Sequence, residues 1–147
     1  AIKQYTDSRV YPYGLYKAAW TYYNLRDSRS GMKELEKVVK FGRFVEKNQI
    51  DARLDLRKEA LGDMPLFFTD VYPSSKAYSY FKDQAGTLDA SPYIMKLSGL
   101  YARHSKYQDR KILLEEIIDK EPISEFTLQA YNDLVWNFEK ERNRSPI

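Results

Sequence analysis

Apolar residues recur along the chain at steps of three and four, and each run of them ends at a turn. Leu15, Ala18, Ala19, Tyr22 and Leu25 share one helix face. Pro12 suits the start of that helix, where its missing N–H costs nothing. The stretch NLRDS, Asn24 to Ser28, reads as a turn. Met32, Leu35, Val38 and Val39 form a second face, extended by Phe41, Phe44 and Val45, with Gly42 expected to fray or end it. Asp51 is placed as an N-cap for a third series, Leu54, Leu56, Ala60, Leu61, Met64 and Phe68. Pro65 lies inside that series, so a kink or break is expected between Leu61 and Pro65, with Asp63 capping the second piece. VYPSS reads as a turn with a serine for the next cap. Ala77, Tyr80, Phe81 and Ala85 follow, closed by Gly86. Ser91-Pro92 opens a helix carrying Ile94, Leu97, Ser98, Tyr101 and Ala102. HSKYQD is a turn. Ile112, Leu113, Ile117 and Ile118 lead to Pro122, and Ser124 caps a last helix with Leu128, Tyr131, Leu134, Val135 and Phe138 on its apolar face.

The pattern therefore predicts an all-α chain of about seven helices in antiparallel pairs. Composition agrees: glycine and proline are few, and no β-branched alternation occurs. At 147 residues the chain suggests one domain large enough for a real core. With 31% charged and 43% hydrophobic residues it reads as globular, not disordered. There is no cysteine, which excludes disulfides, thiolate chemistry and cysteine-based zinc sites. No apolar run approaches the ~18 residues that a membrane span needs. The start, AIKQYTDSR, has no apolar core of a signal peptide, so the chain is expected to be a mature form or fragment of something longer. Cytoplasm and bacterial periplasm both remain open.

Three segments read alike: YKAAWTYYNLRDSRSGMKELEKVV, ALGDMPLFFTDVYPSSKAYSYFKDQA and IMKLSGLYARHSKYQDRKILLEEII. Each runs from a large apolar residue to an aromatic, then a turn, then a second amphipathic helix. This resembles the tetratricopeptide repeat (TPR), a helix-turn-helix unit of about 34 residues. The family's large early residue corresponds to Leu15, Leu61 and Ile94, and its next anchor to Ala18, Met64 and Leu97. Its small residue falls on Ala19, Pro65 and Ser98, and its aromatic on Tyr22, Phe68 and Tyr101. In the second helix the small position falls on Gly31, Ala77 and Arg110, and the apolar one on Leu35, Phe81 and Leu114. The closing proline appears once, at Pro122. Arg110 departs from the pattern, so packing there must open or its stem must snorkel. Pro65 is unusual, and about a dozen extra residues separate the first two units.

The resemblance implies a single domain over 1–147, an α-solenoid with repeats at about 12–48, 52–86 and 91–122 and a final helix at 124–142. The wording LYKAAWTYYNL, then LRKEAL and KAYSYF, is most similar to TPR proteins of gliding and predatory bacteria associated with cell-envelope or motility machinery. It also implies a non-enzymatic scaffold or adaptor that holds a peptide or protein segment in a concave groove. On the matched pattern the groove takes Tyr13, Tyr16, Lys17, Trp20, Tyr23 and Asn24 from the first repeat. The second supplies Asp63, Leu66 and Asp70, the third Lys96 and Arg103, and the last helix Gln129, Asp133, Trp136 and Asn137. Tyr22 would be core, while Tyr16, Trp20 and Tyr23 would form a binding wall. The plain alternative is that these aromatics pack on a neighbouring helix, or that residues Ala1 to Val10 seal the first repeat. The lysine and asparagine clamp with which some TPR proteins grip a C-terminal carboxylate is absent: Tyr16, Trp20, Asp63 and Pro92 stand at its positions, and Lys96 alone remains.

Other chemistry is thin. His104 is the one histidine and sits at a turn, and no nucleophile elbow, phosphate loop or metal-spaced pair occurs. No cofactor or metal is implied. Glu115, Glu116, Asp119 and Glu121 read as a solvated face. Arg103, His104, Lys106, Arg110 and Lys111 would suit single-stranded RNA, but Asp109 interrupts them and the net charge is only +3. The remaining alternative is self-association through an open end of the solenoid.

Overall fold

The computed structural model describes residues 10–144, and among these the chain is all-helical. Seven α-helices follow one another: α1 (Val10–Asn24), α2 (Ser28–Lys47), α3 (Arg57–Val71), α4 (Ala77–Ala85), α5 (Ser91–Arg103), α6 (Tyr107–Lys120) and α7 (Glu125–Arg144). Short 3-10 turns at Ala52–Leu54 and Ser74–Lys76 precede α3 and α4. The suggested sealing of the first helix by the N-terminal residues lies, but for Val10, outside the described part, as does the reading of AIKQYTDSR. No helix among the described residues is long and apolar enough to cross a membrane. The chain forms two compact units, one ending at Val71 and one starting at Tyr72.

In the first unit α1 and α2 run antiparallel, as the pairing of Ala19 with Gly31 and of Tyr11 with Phe41 requires. The same relation holds for α2 and α3, where Gly31 meets Phe67 and Gly42 meets Arg57. That leaves α1 and α3 parallel, joined by Tyr16 to Asp63 and Tyr23 to Phe67. Met32, Leu35, Val38 and Val39 of α2 and Ala60, Leu61, Met64, Phe67 and Phe68 of α3 are all buried. Asp27 caps α2, its carboxylate accepting from the Ser30 N–H at 3.1 Å.

Two expectations fail here. Gly42 does not end α2, which runs on to Lys47. Its missing side chain instead admits the stem of Arg57, a buried cation held by Asp55 and Glu46. Pro65 does not break α3, which is continuous from Arg57 to Val71. An interior proline costs about 3 kcal/mol. Burying Leu61, Met64, Phe67 and Phe68 returns roughly 1.5–3 kcal/mol for each side chain, so packing wins. Asp63 consequently is no cap.

In the second unit α5 and α6 meet through Arg110 and Ser98, and α6 and α7 run antiparallel, with Tyr107 opposite Asn137 and Arg110 opposite Asp133. Tyr78 of α4 donates to Glu121 at 3.0 Å, and burial followed by that bond pushes its phenol up to about 12. Glu121 also pairs with Lys82 and Glu116 with Lys120, so the acidic cluster is in part structural and only Glu115 and Asp119 are fully solvated. Ser74 caps nothing; its hydroxyl donates to Asp109. The α5 helix begins at Ser91 itself, whose N–H and hydroxyl both donate to Asp89. Ser124 does cap α7, through a reciprocal pair of bonds with Thr127.

One turn occurs three times. It ends α2, where the Ile50 N–H donates to the Val45 carbonyl with Gln49 at φ 53°. At the end of α1 the Asp27 N–H donates to the Tyr22 carbonyl, with Arg26 left-handed at φ 63°. At the end of α5 the Lys106 N–H donates to the Tyr101 carbonyl, with Ser105 at φ 58°. Tyr22 and Tyr101 are two of the three aromatics that the repeat register makes equivalent; after the third, Phe68, Pro73 stands where the donor N–H would be. Most matched positions are buried: Leu61, Ile94, Met64, Leu97, Phe68, Tyr101, Leu35, Phe81 and Leu114.

The departures lie in the first and last helices. Tyr22 is 36% exposed and Leu25 71%, because α1 is covered only on the side that meets α2 and α3. The expected apolar face of α7 is likewise turned outward, with Leu128, Tyr131, Val135 and Phe138 about half exposed. Leu134, of the same expected face, is part-buried and falls at helical spacing with Ala130 and Asn137, which with Thr127 make up the buried side. Arg110 neither opens the packing nor snorkels: it is buried and bonded in place.

Candidate functional site

The residues assigned to a groove fall into two groups, one in each unit. In the first unit α1 is a helix of high aromatic content, and Tyr13, Tyr16 or Lys17, Trp20, and Tyr23 or Asn24 recur at helical spacing along one stripe. The parallel α3 lies beside this stripe and contributes Asp63, Leu66 and Asp70. The Tyr16 hydroxyl and the Trp20 indole N–H both donate to the same Asp63 oxygen, the latter at 3.2 Å. Burial, and then the bond to Asp63, raises the pKa of the Tyr16 phenol. Trp20 lies edge-on to Tyr23 at 5.4 Å and to Phe67 at 5.2 Å, and Tyr23 leans on Phe67 at 4.9 Å. Phe67 is fully buried, whereas Tyr16, Trp20 and Tyr23 are each only part-buried.

The wall and packing readings thus both apply. The inner edges of the rings pack on Phe67 and Asp63, and the rest stays in water. Rings held in this way lose little entropy on binding. Tyr13 and Lys17 extend the stripe and are exposed, and Leu66 is part-buried. At the C-terminal end of α1 the stripe opens into a pocket of about 660 Å³ lined by Tyr23, Asn24, Arg26, Asp27, Ser28, Arg29 and Asp70. Asp70 accepts from the Ser28 hydroxyl there at 2.9 Å.

The second unit gathers Gln129, Asp133 and Trp136 around Arg110. Gln129 donates to Asp133 at 2.8 Å, Arg110 approaches Asp133 at 3.5 Å, and its guanidinium lies 5.4 Å from the Trp136 ring centre. Burial lowers the pKa of Arg110 against the opposing pull of Asp133. Asn137 does not belong to any groove. It is fully buried and donates to the Tyr107 carbonyl at 2.9 Å, tying α7 to the start of α6. Lys96 and Arg103 are exposed. Of the residues suggested for RNA, Arg103, His104 and Lys106 are exposed, but Arg110 is buried and Lys111 lies over the Phe138 ring.

Phe67, Glu59 and Ser28 were not among the expected site residues. The signal for two of them was spacing: Glu59, Asp63 and Phe67 are successive fours on α3, legible only if the helix continues through Pro65. No protein-family model matches the chain, and no curated protein or solved structure is significantly similar to it.

Proposed function

We propose that the chain is a tetratricopeptide-like helical-repeat adaptor, without catalytic activity, that holds a peptide or protein segment on the aromatic wall of α1 and α3. The observation that carries this reading is the wall itself. Tyr16, Trp20 and Tyr23 stand half in water, yet are fixed by Asp63 and Phe67. Aromatic side chains immobilised before binding are the usual anchors of protein interfaces. The repeat reading draws support from the buried matched positions. The link to bacterial envelope or motility machinery rests on sequence wording alone.

Panning a random peptide display library against the protein tests the reading. Wild type should enrich a set of peptides that the Tyr16→Ala/Trp20→Ala variant does not retain, with helical circular dichroism largely preserved. Failure of wild type to enrich anything beyond that variant would sink the adaptor reading. A variant that loses its helix would mean the rings serve mainly as packing; Tyr13→Ala and Lys17→Ala, both on exposed positions, then supply the comparison.

One observation favours self-association as a second reading. Leu128, Tyr131, Val135 and Phe138 form an exposed apolar stripe along α7. Paired antiparallel with a second copy, Leu128 would meet Phe138 and Tyr131 would meet Val135. Sedimentation velocity over a range of concentrations should then give a weak dimer, and Val135→Glu should return it to monomer. A wild type that stays monomeric at the highest concentration removes this reading.

A further inference from the structure

The α3 side of the wall carries three carboxylates that form no ion pair among the described residues. Glu59 and Asp63 occupy successive turns on the side of α3 that meets α1, and Asp70 follows two turns further on. Asp63 receives its two hydrogen bonds from neutral donors, the Tyr16 hydroxyl and the Trp20 indole, and Asp70 receives its bond from the Ser28 hydroxyl. Glu59 acts on Tyr16 through space. None of the three forms an ion pair among the described residues, although Lys17 and Lys58 are exposed on the same two helices. Arg26 and Arg29 stand only at the far end, in the pocket beside Asp70. A row of half-exposed aromatic rings therefore runs parallel to Glu59 and Asp63, carboxylates that form no ion pair among the described residues.

We propose that the segment held on this wall is basic, with lysine or arginine side chains lying on the outer faces of the α1 rings within reach of Glu59 and Asp63. A cation there gains twice: from the ring quadrupoles of Tyr16, Trp20 and Tyr23, and from a carboxylate already partly shielded from water. Arginine suits the site better than lysine, since its planar guanidinium can stack on a ring and bond a carboxylate edge-on. An acidic segment would meet like charge at Glu59 and Asp63. This inference rests on the peptide-binding reading and specifies its ligand.

The test is the charge of the peptides enriched by panning, followed by titration of their synthetic copies. Trp136→Phe leaves Trp20 as the sole tryptophan, so its fluorescence reports binding at the wall. Enriched peptides should be rich in arginine and lysine. They should bind about tenfold more weakly to Asp63→Asn and to Glu59→Gln, and should weaken as salt rises. Asparagine keeps an acceptor for Tyr16 and Trp20, so Asp63→Asn should fold; Glu59→Gln, at an exposed position, is the second check. Enrichment of neutral or acidic peptides that still depend on Tyr16 and Trp20 would overturn the basic-ligand inference and leave the adaptor reading standing. Basic peptides held equally by wild type and both charge variants would overturn it too. No enrichment over the Tyr16→Ala/Trp20→Ala variant would overturn both.

Discussion

Asp133→Ala is expected to destabilise the chain by about 3 kcal/mol, while Arg110→Met is expected to be neutral or stabilising. The two residues form one pair, so the opposite outcomes need an argument. Arg110 is a buried cation with weak compensation. Its Nε donates to the Ser98 hydroxyl at 3.0 Å, its Nη2 lies 3.5 Å from Asp133, and its Nη1 is buried without a hydrogen-bond partner. Withdrawing a guanidinium from water costs several kcal/mol, and a long ion pair recovers only part of that. Removing Asp133 strips the buried cation of its one carboxylate. Replacing Arg110 by methionine removes the cost itself, keeps most of the volume, and returns Asp133 to water with Gln129 still bonded to it. The losses are the cation–π contact with Trp136 and the bond to the buried Ser98 hydroxyl, each on the order of 1 kcal/mol and together below the desolvation cost removed. Urea midpoints at constant slope measure both variants. An Arg110→Met that costs more than Asp133→Ala would mean that the pair is a net stabiliser and that the desolvation argument is wrong.

Arg110 also shows how far the sequence could be read. The helices and their order were legible because apolar periodicity is set by burial, and burial forms these helices. The misreadings came where one local rule was applied without its tertiary context. Gly42 looks like a helix end, yet its value lies in having no side chain where Arg57 crosses. Pro65 looks like a break, yet four large buried residues hold α3 together around it. The repeat register still placed Asp63, Leu66 and Asp70 in the groove, but with α3 cut at Pro65 nothing tied Glu59 and Phe67 to that row. The aromatic row of α1 was legible because no such interruption falls between Tyr13 and Asn24. In α7 periodicity identified a genuine stripe but not its direction: Leu128, Tyr131, Val135 and Phe138 share a face, and that face is the outer one. Spacing alone cannot say which of two faces meets a neighbour when the inner one is built from Thr127, Ala130 and Asn137.

Phe67→Ala is expected to cost about 3–5 kcal/mol and to loosen the wall at the same time. Phe67 is fully buried beneath Trp20 and Tyr23, and its other side fills the space left by Gly31. The pairing of Gly31 with Phe67 makes a sharper test. Helix propensity alone says that Gly31→Ala should stabilise α2 by about 1 kcal/mol. The added Cβ would stand 2.6 Å from the Phe67 ring and 2.8 Å from the Ala19 carbonyl oxygen, so overpacking by about 1–3 kcal/mol should outweigh that gain. In a Phe67→Ala background the ring is gone and the new methyl enters the cavity. Gly31→Ala should then cost at least about 1 kcal/mol less than it does in wild type, a coupling that a double-mutant cycle reads directly. Trp20 emission should shift toward that of a solvated indole in Phe67→Ala, because the ring beneath it has been removed. Equal costs in the two backgrounds would place the limit on Gly31 at the Ala19 carbonyl, making the approach of α1 to α2, and not Phe67, the reason for a glycine at that position.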